Sequence, residues 1–262
     1  MDHAELLALF DRDVRAGARP DGPGARVERT GGVVRQVAAA QDWNGIVWSD
    51  LDEAGADAAI AAQIGHYTGL GLGFEWKLYG HDRPADLGRR LRAAGFTPEP
   101  AETLMIGEAA AVALDAEPPE GVRVEPVTDP AGVDLVARVH EDAFGADSSW
   151  LRHQLLARLS AAPDAVVAVV AMAGDEPVSA ARMELVPGTP FAGLWGGGTV
   201  RGWRGRGIYR SLVAHRARAA GARGYRYLQV DASDQSRPIL ERLGFLPLTT
   251  TTPYLYTSWP PG

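Results

Sequence analysis

The chain has 262 residues, of which 46% are hydrophobic and 23% charged, with a formal net charge of -7 and no cysteine. This composition is ordinary for a globular protein, and the lack of cysteine excludes disulfides, cysteine-ligated zinc, iron-sulfur clusters and a cysteine nucleophile. The negative balance disfavours a general nucleic-acid binder, whose non-specific affinity comes from neutralising phosphates, and no apolar run approaches the roughly 18 residues of a membrane span. The expectation is a soluble cytoplasmic protein, monomer or homodimer, with neither nucleic acid nor membrane as partner.

The N-terminus, Met1-Asp2-His3-Ala4-Glu5, is acidic and leads into an amphipathic pattern. Phe74–Tyr79 is aromatic and β-favouring and predicts a strand. The helical ending Leu91-Arg-Ala-Ala-Gly-Phe96 follows it. Small residues and a double proline between Glu108 and Glu120 read as a linker, dividing the chain into domains 1–110 and 121–262. Beyond it the pattern predicts a strand over Val122–Pro126, helices over Asp129–Phe144 and Ser148–Leu159, and a buried strand over Ala165–Ala173.

Turn signals then separate strands over Val178–Val186 and Phe191–Val200. A glycine-rich loop, a helix over Ile208–Gly221, a strand over Tyr225–Asp231 and a helix over Gln235–Leu243 follow, with strands near Phe245 and over Thr252–Thr257. A second helical ending, Leu240-Glu-Arg-Leu-Gly-Phe245, repeats the first with its glycine 149 positions on, and each follows a strand. Glycine is the usual C-terminal cap, but the shared order of neighbouring elements favours duplication. The fold class expected is mixed α/β (α+β): two tandem related domains, each with a largely antiparallel sheet flanked by helices.

The chemistry concentrates between the predicted strand at Phe191–Val200 and the helix at Ile208. Gly205 and Gly207 there let the backbone curl around a ligand. The helix start adds open amides and its positive dipole end, and Arg204 and Arg206 add charge at the rim. Arginine is dense here (201, 204, 206, 210, 216, 218, 223 and 226), a basic patch inside an acidic chain. The expected ligand is a pyrophosphate. Neither the dinucleotide fingerprint nor the P-loop lysine motif is present.

This stretch resembles the GNAT superfamily of acyltransferases, whose coenzyme-binding signature, Arg/Gln-x-x-Gly-x-Gly/Ala, lies at the same strand-to-helix junction. Here it reads Arg204-Gly205-Arg206-Gly207-Ile208-Tyr209, with tyrosine where the family prefers a small residue. The resemblance spans about Val122 to Tyr256. It implies acetyl-coenzyme A as co-substrate, no metal, and direct N-acetyl transfer to a primary amine of a small molecule. It also implies pantetheine contacts from the backbone of Gly197 and Thr199, and coenzyme contacts from Arg204, Gly205, Arg206, Gly207, Ile208 and Tyr209.

The N-terminal half is similar to a shortened, degenerate copy. Trp48-Ser49-Asp50-Leu51-Asp52-Glu53 stands at the matching junction, and three carboxylates there would repel a pyrophosphate. That half is expected to bind no coenzyme.

Direct transfer needs a base for the amine and an acid for the leaving thiolate. Many relatives use a tyrosine in the last helix as acid, where this chain has Leu240. Ser236 is the acid or water-orienting candidate, with Ser233, Asp231 and Tyr209 nearby; Asp231 and Glu184 are the base candidates. Asp231 reads more readily as a helix cap. His140 and Glu141 could line the acceptor side, and Trp150, Trp195 and Trp203 could wall it or serve packing. Two other readings remain: an acetyltransferase acting on protein lysines or N-termini, and a non-catalytic acyl-coenzyme A sensor.

Overall fold

A computed structural model describes residues 2–112 and 115–257 of the chain. It divides into two compact units, one formed by the chain up to Leu104 and again from Leu248 onward, the other by Met105–Pro247. In chain order the elements are α1 (His3–Phe10), β1 (Arg26–Thr30), β2 (Val33–Val37), β3 (Gly45–Ser49), α2 (Ala56–Gly69), β4 (Phe74–Tyr79), α3 (Leu87–Ala93), β5 (Thr97–Pro98) and β6 (Glu102–Glu108). They continue with β7 (Val122–Pro126), α4 (Pro130–Phe144), α5 (Ser149–Ala161), β8 (Val166–Ala173), β9 (Glu176–Leu185), β10 (Phe191–Thr199), α6 (Ile208–Ala222), β11 (Tyr227–Ala232), α7 (Arg237–Arg242) and β12 (Leu246–Tyr256). No helix among the described residues is long and apolar enough to cross a membrane.

In the first unit, α1 opens with a capping box. The Asp2 carboxylate accepts from the Glu5 amide at 2.8 Å and the Asp2 amide donates to Glu5 Oε2 at 3.2 Å. Strands β1, β2 and β3 form an antiparallel meander, and β3 lies parallel to β4 after the crossover helix α2. The far side of β4 is covered by β12, paired antiparallel from Thr251↔Tyr79 to Tyr256↔Phe74. The last strand therefore completes the sheet of the first unit, a placement that no linker composition announces. It is one strand and not the two short ones expected, because β-branched threonines at 249–252 carry extended chain between its prolines.

In the second unit, β7, β8, β9 and β10 form an antiparallel meander, and β10 lies parallel to β11 across α6. Strand alternation gives each face its own cover. Met183 and Leu185 of β9 and Leu194 of β10 pack with Val213, Ala217 and Ala220 of α6 and Leu228 of β11. On the other face, Ala168, Val170 and Ala180 meet Val133, Val136 and Val139 of α4 and Leu151 and Leu155 of α5. The apolar positions of α4 recur at three- and four-residue spacing, Asp129 caps its first turn, and Gly145 ends it at φ 72°.

The two helical endings close alike. The Phe96 amide donates to the Leu91 carbonyl at 3.1 Å and the Phe245 amide to the Leu240 carbonyl at 3.0 Å. Gly95 and Gly244 sit at φ 99° and 94°, a region that favours glycine. Leu91 and Leu240 are fully buried. With a parallel strand pair across a helix before each ending, the duplicated order read from the sequence is present in both units.

One charged cluster is buried in the first unit. Arg15 donates to both oxygens of Asp82 at 2.8 and 2.7 Å and to Asp11 at 2.8 Å, and its guanidinium lies 3.8 Å from the Tyr79 ring centre. Removing one partner of such a pair strands the other charge away from water. Asp82→Asn is expected to cost about 3 kcal/mol in urea unfolding, the low end for a broken buried pair because Asp11 remains. A loss below about 1 kcal/mol would contradict this.

Candidate active site

The second unit opens between β10 and β11. Their pairing covers Phe191↔Tyr227, Ala192↔Leu228 and Gly193↔Gln229 only, so past Gly193 and Gln229 the two parallel strands part. On its other edge β10 stays joined to β9 through a register shift between Trp195 and Gly198. Gly196 sits at φ 57° inside this bulge. From Leu194 to Thr199 β10 forms no ladder pairing with β11, so this edge of the strand lines the opening.

The glycines of the bulge make room for specific side chains. A Cβ on Gly197 would meet Tyr209 Cε2 at 2.8 Å, and one on Gly198 would meet Phe144 Cε2 at 2.8 Å and Ala143 Cβ at 3.0 Å. A Cβ on Gly196 would lie 3.0 Å from Arg182 Nη1. The Thr199 hydroxyl shares a 2.9 Å hydrogen bond with Ser179, whose own hydroxyl lies 2.7 Å from the Gly198 carbonyl.

Past β10 the chain turns into α6 at Gly207, which has φ 86° and stands where a capping residue would; no side chain caps the helix start. Gly205, at φ 77°, and Gly207 both face open space. The first-turn amides of a 15-residue helix are thus directed into a gap lined by glycine, a ready-made anion site. Arg206 stands at its edge, stacked over Trp203 at 4.5 Å. Arg204 turns the other way: its guanidinium donates to the Thr199 carbonyl at 3.0 Å and the Ala143 carbonyl at 2.9 Å. Its side chain fastens the loop to β10 and to the end of α4, leaving the loop backbone and Arg206 to meet an anion. Ile208 is buried and points into the core.

The expected acid and base residues fall in three places. Glu184, opposite Gly193 on β9, is paired through Oε2 with Arg158 and through Oε1 with Arg182 at 3.1 Å. Asp231 lies in β11 on the other lip of the opening. Ser236 is the residue before α7, with its hydroxyl turned to the Ser233 carbonyl and hydroxyl at 3.2 Å each. Leu240 is wholly buried in the core beside β11.

Two groups carry more than their sequence signal suggested. His140 of α4 shares a 2.7 Å hydrogen bond with the buried Ser148 and packs on Phe144 and Trp150, with ring centres 4.6 and 6.0 Å away. Burial first, and then the positive charge of Arg182, lower its pKa from the ordinary histidine value, which favours the neutral ring. Arg216 of α6 has 1% of its surface exposed and donates to the Leu212 and Arg182 carbonyls at 3.0 Å each. Burial lowers its pKa to about 10. From the sequence His140 is a residue of the acceptor side and Arg216 one arginine of the basic patch; their partners are visible only in three dimensions. Among the described residues no group of three His, Cys, Asp or Glu side chains is placed to hold a metal ion.

The sequence model of the acetyltransferase (GNAT) family matches residues 133–245. No curated protein is significantly similar to the chain in sequence. Among solved structures, a GCN5-related N-acetyltransferase from Kribbella flavida superposes with a TM-score of 0.70 at 18% identity, over 99% of this chain and 95% of that one. A functionally unknown conserved protein from Staphylococcus epidermidis reaches 0.68 at 14% identity, over 92% and 96%. A tandem GNAT protein from the clavulanic acid biosynthesis pathway reaches 0.64 at 12% identity, over 99% and 95%. At these identities the structural likeness establishes the fold, and it extends through both units.

Since Arg182 is one of the causes that lower the His140 pKa, Arg182→Gln is expected to raise it toward its ordinary value of about 6.5. Histidine ring signals followed by NMR against pH would show it. A midpoint that stays put or falls would mean the two groups are not electrostatically coupled.

Proposed function

We propose that the second unit, in which residues 133–245 match the sequence model of the acetyltransferase (GNAT) family, moves an acetyl group from acetyl-coenzyme A directly to the primary amine of a small molecule. The observation that carries this reading is the parting of β10 from β11 directly beside the uncapped start of α6. Pyrophosphate is received by the amides at Gly205 to Tyr209 and by Arg206. The pantetheine arm takes the backbone positions of β10, with Gly197 and Thr199 nearest the reacting end. A backbone amide directed at the thioester oxygen stabilises the charge that develops there, a contribution of about 3 kcal/mol where comparable donors have been removed.

Acetyl, in preference to a longer chain, is favoured by the crowding of Gly198 by Ala143 and Phe144. A small acceptor is favoured by the enclosure of the polar groups near Gly196: the Arg182 and Arg158 side chains are 13% and 14% exposed. His140, favoured in its neutral form, has the character of a base for an ammonium that must lose a proton before attack. Glu184, with both oxygens on arginines, serves to orient Arg182. Asp231 and Ser236, on the β11 side, are assigned to ordering water at the opening. The coenzyme loop belongs to the second unit, Met105–Pro247, and the first unit, with carboxylates at the matching junction, carries none.

Isothermal titration with acetyl-coenzyme A tests the coenzyme site. Arg206→Glu replaces a charge-assisted phosphate contact by repulsion and is expected to weaken binding about 10- to 100-fold. The melting temperature should hardly move, since Arg206 lies at the loop surface with its guanidinium stacked over Trp203. Equal affinity in the two proteins would remove the loop from the coenzyme site.

A further inference from the structure

Collapse of an acyl-transfer intermediate expels a thiolate, and the proton it needs must come from a group at the bulge of β10. Leu240 is apolar and buried, and the Ser236 hydroxyl is turned to its own turn. One phenol does reach the bulge. The side of Gly197 where a Cβ would stand is filled by the ring edge of Tyr209, with Cε2 at 2.8 Å and Cδ2 at 3.6 Å. Cε2 adjoins the carbon that bears the hydroxyl, so the hydroxyl lies two bonds from the atom in contact. The ring also packs against the core cluster that contains Leu240, so a side chain of α6 brings a phenol to the cluster where α7 contributes the aliphatic Leu240 and Ile239.

Arg216 gives the phenol a charged neighbour. Its Nη2 lies 3.7 Å from the same Cβ position on Gly197, and its Nε and Nη1 donate to the Leu212 and Arg182 carbonyls. Burial raises the phenol pKa, and the positive charge of Arg216 opposes that rise by favouring the phenolate. A fully buried guanidinium bonded to carbonyls is costly to keep. That cost is offset each time a negative charge forms beside it.

We propose that Tyr209, in the first turn of α6, is the general acid of the transfer, with Arg216 as the positioning residue that stabilises its phenolate. This rests on the acyltransferase reading. When the amine nitrogen has bonded to the acyl carbon and the carbon–sulfur bond breaks, the electron pair leaves on sulfur, which takes the Tyr209 hydroxyl proton to give the free thiol. The proton lost by the amine passes through its base to solvent, and solvent returns one to the phenolate. The sum is thioester plus amine to amide plus thiol, with the enzyme unchanged. The departure from a small residue at position 209 thus has a chemical purpose: the bulk that crowds the loop is the acid.

Tyr209→Phe keeps the ring and removes only the hydroxyl. Binding of coenzyme A and of desulfo-coenzyme A to both proteins, by isothermal titration, needs no knowledge of the acceptor. The variant is expected to bind coenzyme A several-fold more weakly than the natural protein and desulfo-coenzyme A equally well, because the hydroxyl meets the sulfur alone. With an amine that the natural protein acetylates, kcat is expected to fall about 100-fold, the lower end for a lost acid, with KM for acetyl-coenzyme A unchanged. Equal loss for both coenzyme forms, or no loss for either, would overturn the assignment of Tyr209. Failure of the natural protein to bind coenzyme A would overturn the acyltransferase reading itself.

Discussion

The loss of pairing between β10 and β11 is the constraint on which the second unit turns. Three ladder pairs hold the two strands together, and beyond Gly193 and Gln229 they separate. A sheet that opens in its middle exposes backbone donors and acceptors that folding ordinarily satisfies. It persists here because both faces are packed independently, α6 on one side and α4 and α5 on the other. The bulge at Trp195 to Gly198 keeps β10 joined to β9 while redirecting its end, and Arg204 ties that end to α4 through two carbonyls. Opening, bulge and uncapped helix are consecutive along about twenty residues of chain, so one local geometry supplies an extended cleft with an anion site at its mouth.

Electrostatics complete that geometry. Arg158 and Arg182 share the single carboxylate of Glu184, and Arg216 lies behind β9 bonded to carbonyls. The region around the bulge therefore carries more positive than negative charge in a poorly hydrated setting. Such an arrangement stabilises anions that arrive or form there, and it disfavours protonation of His140. The overall charge of -7 says nothing of this, since it averages over both units.

Much of this was legible in the sequence. The strand, glycine loop and helix around Arg204 to Tyr209 could be read from residue type alone, and the two Leu-x-x-x-Gly-Phe endings have matching hydrogen bonds and glycine dihedrals. What escaped depends on long-range contact. Arg204 reads as a phosphate ligand until Ala143, 61 positions away, claims its guanidinium. Glu184 reads as a base until Arg158 and Arg182 pair with it. The closeness of Tyr209 to Gly197, and the return of β12 to the first unit, are set by register and packing that no local pattern encodes.

The central claim is that the edge of β10 freed by this separation receives the coenzyme. Amide hydrogen exchange with and without coenzyme A measures that edge directly. Coenzyme A is expected to slow exchange at Trp195 to Thr199 and at Gly205 to Tyr209, with β7 and β8 unchanged. Coenzyme binding that leaves the β10 amides unprotected, or that protects the β3 to α2 junction instead, would contradict it.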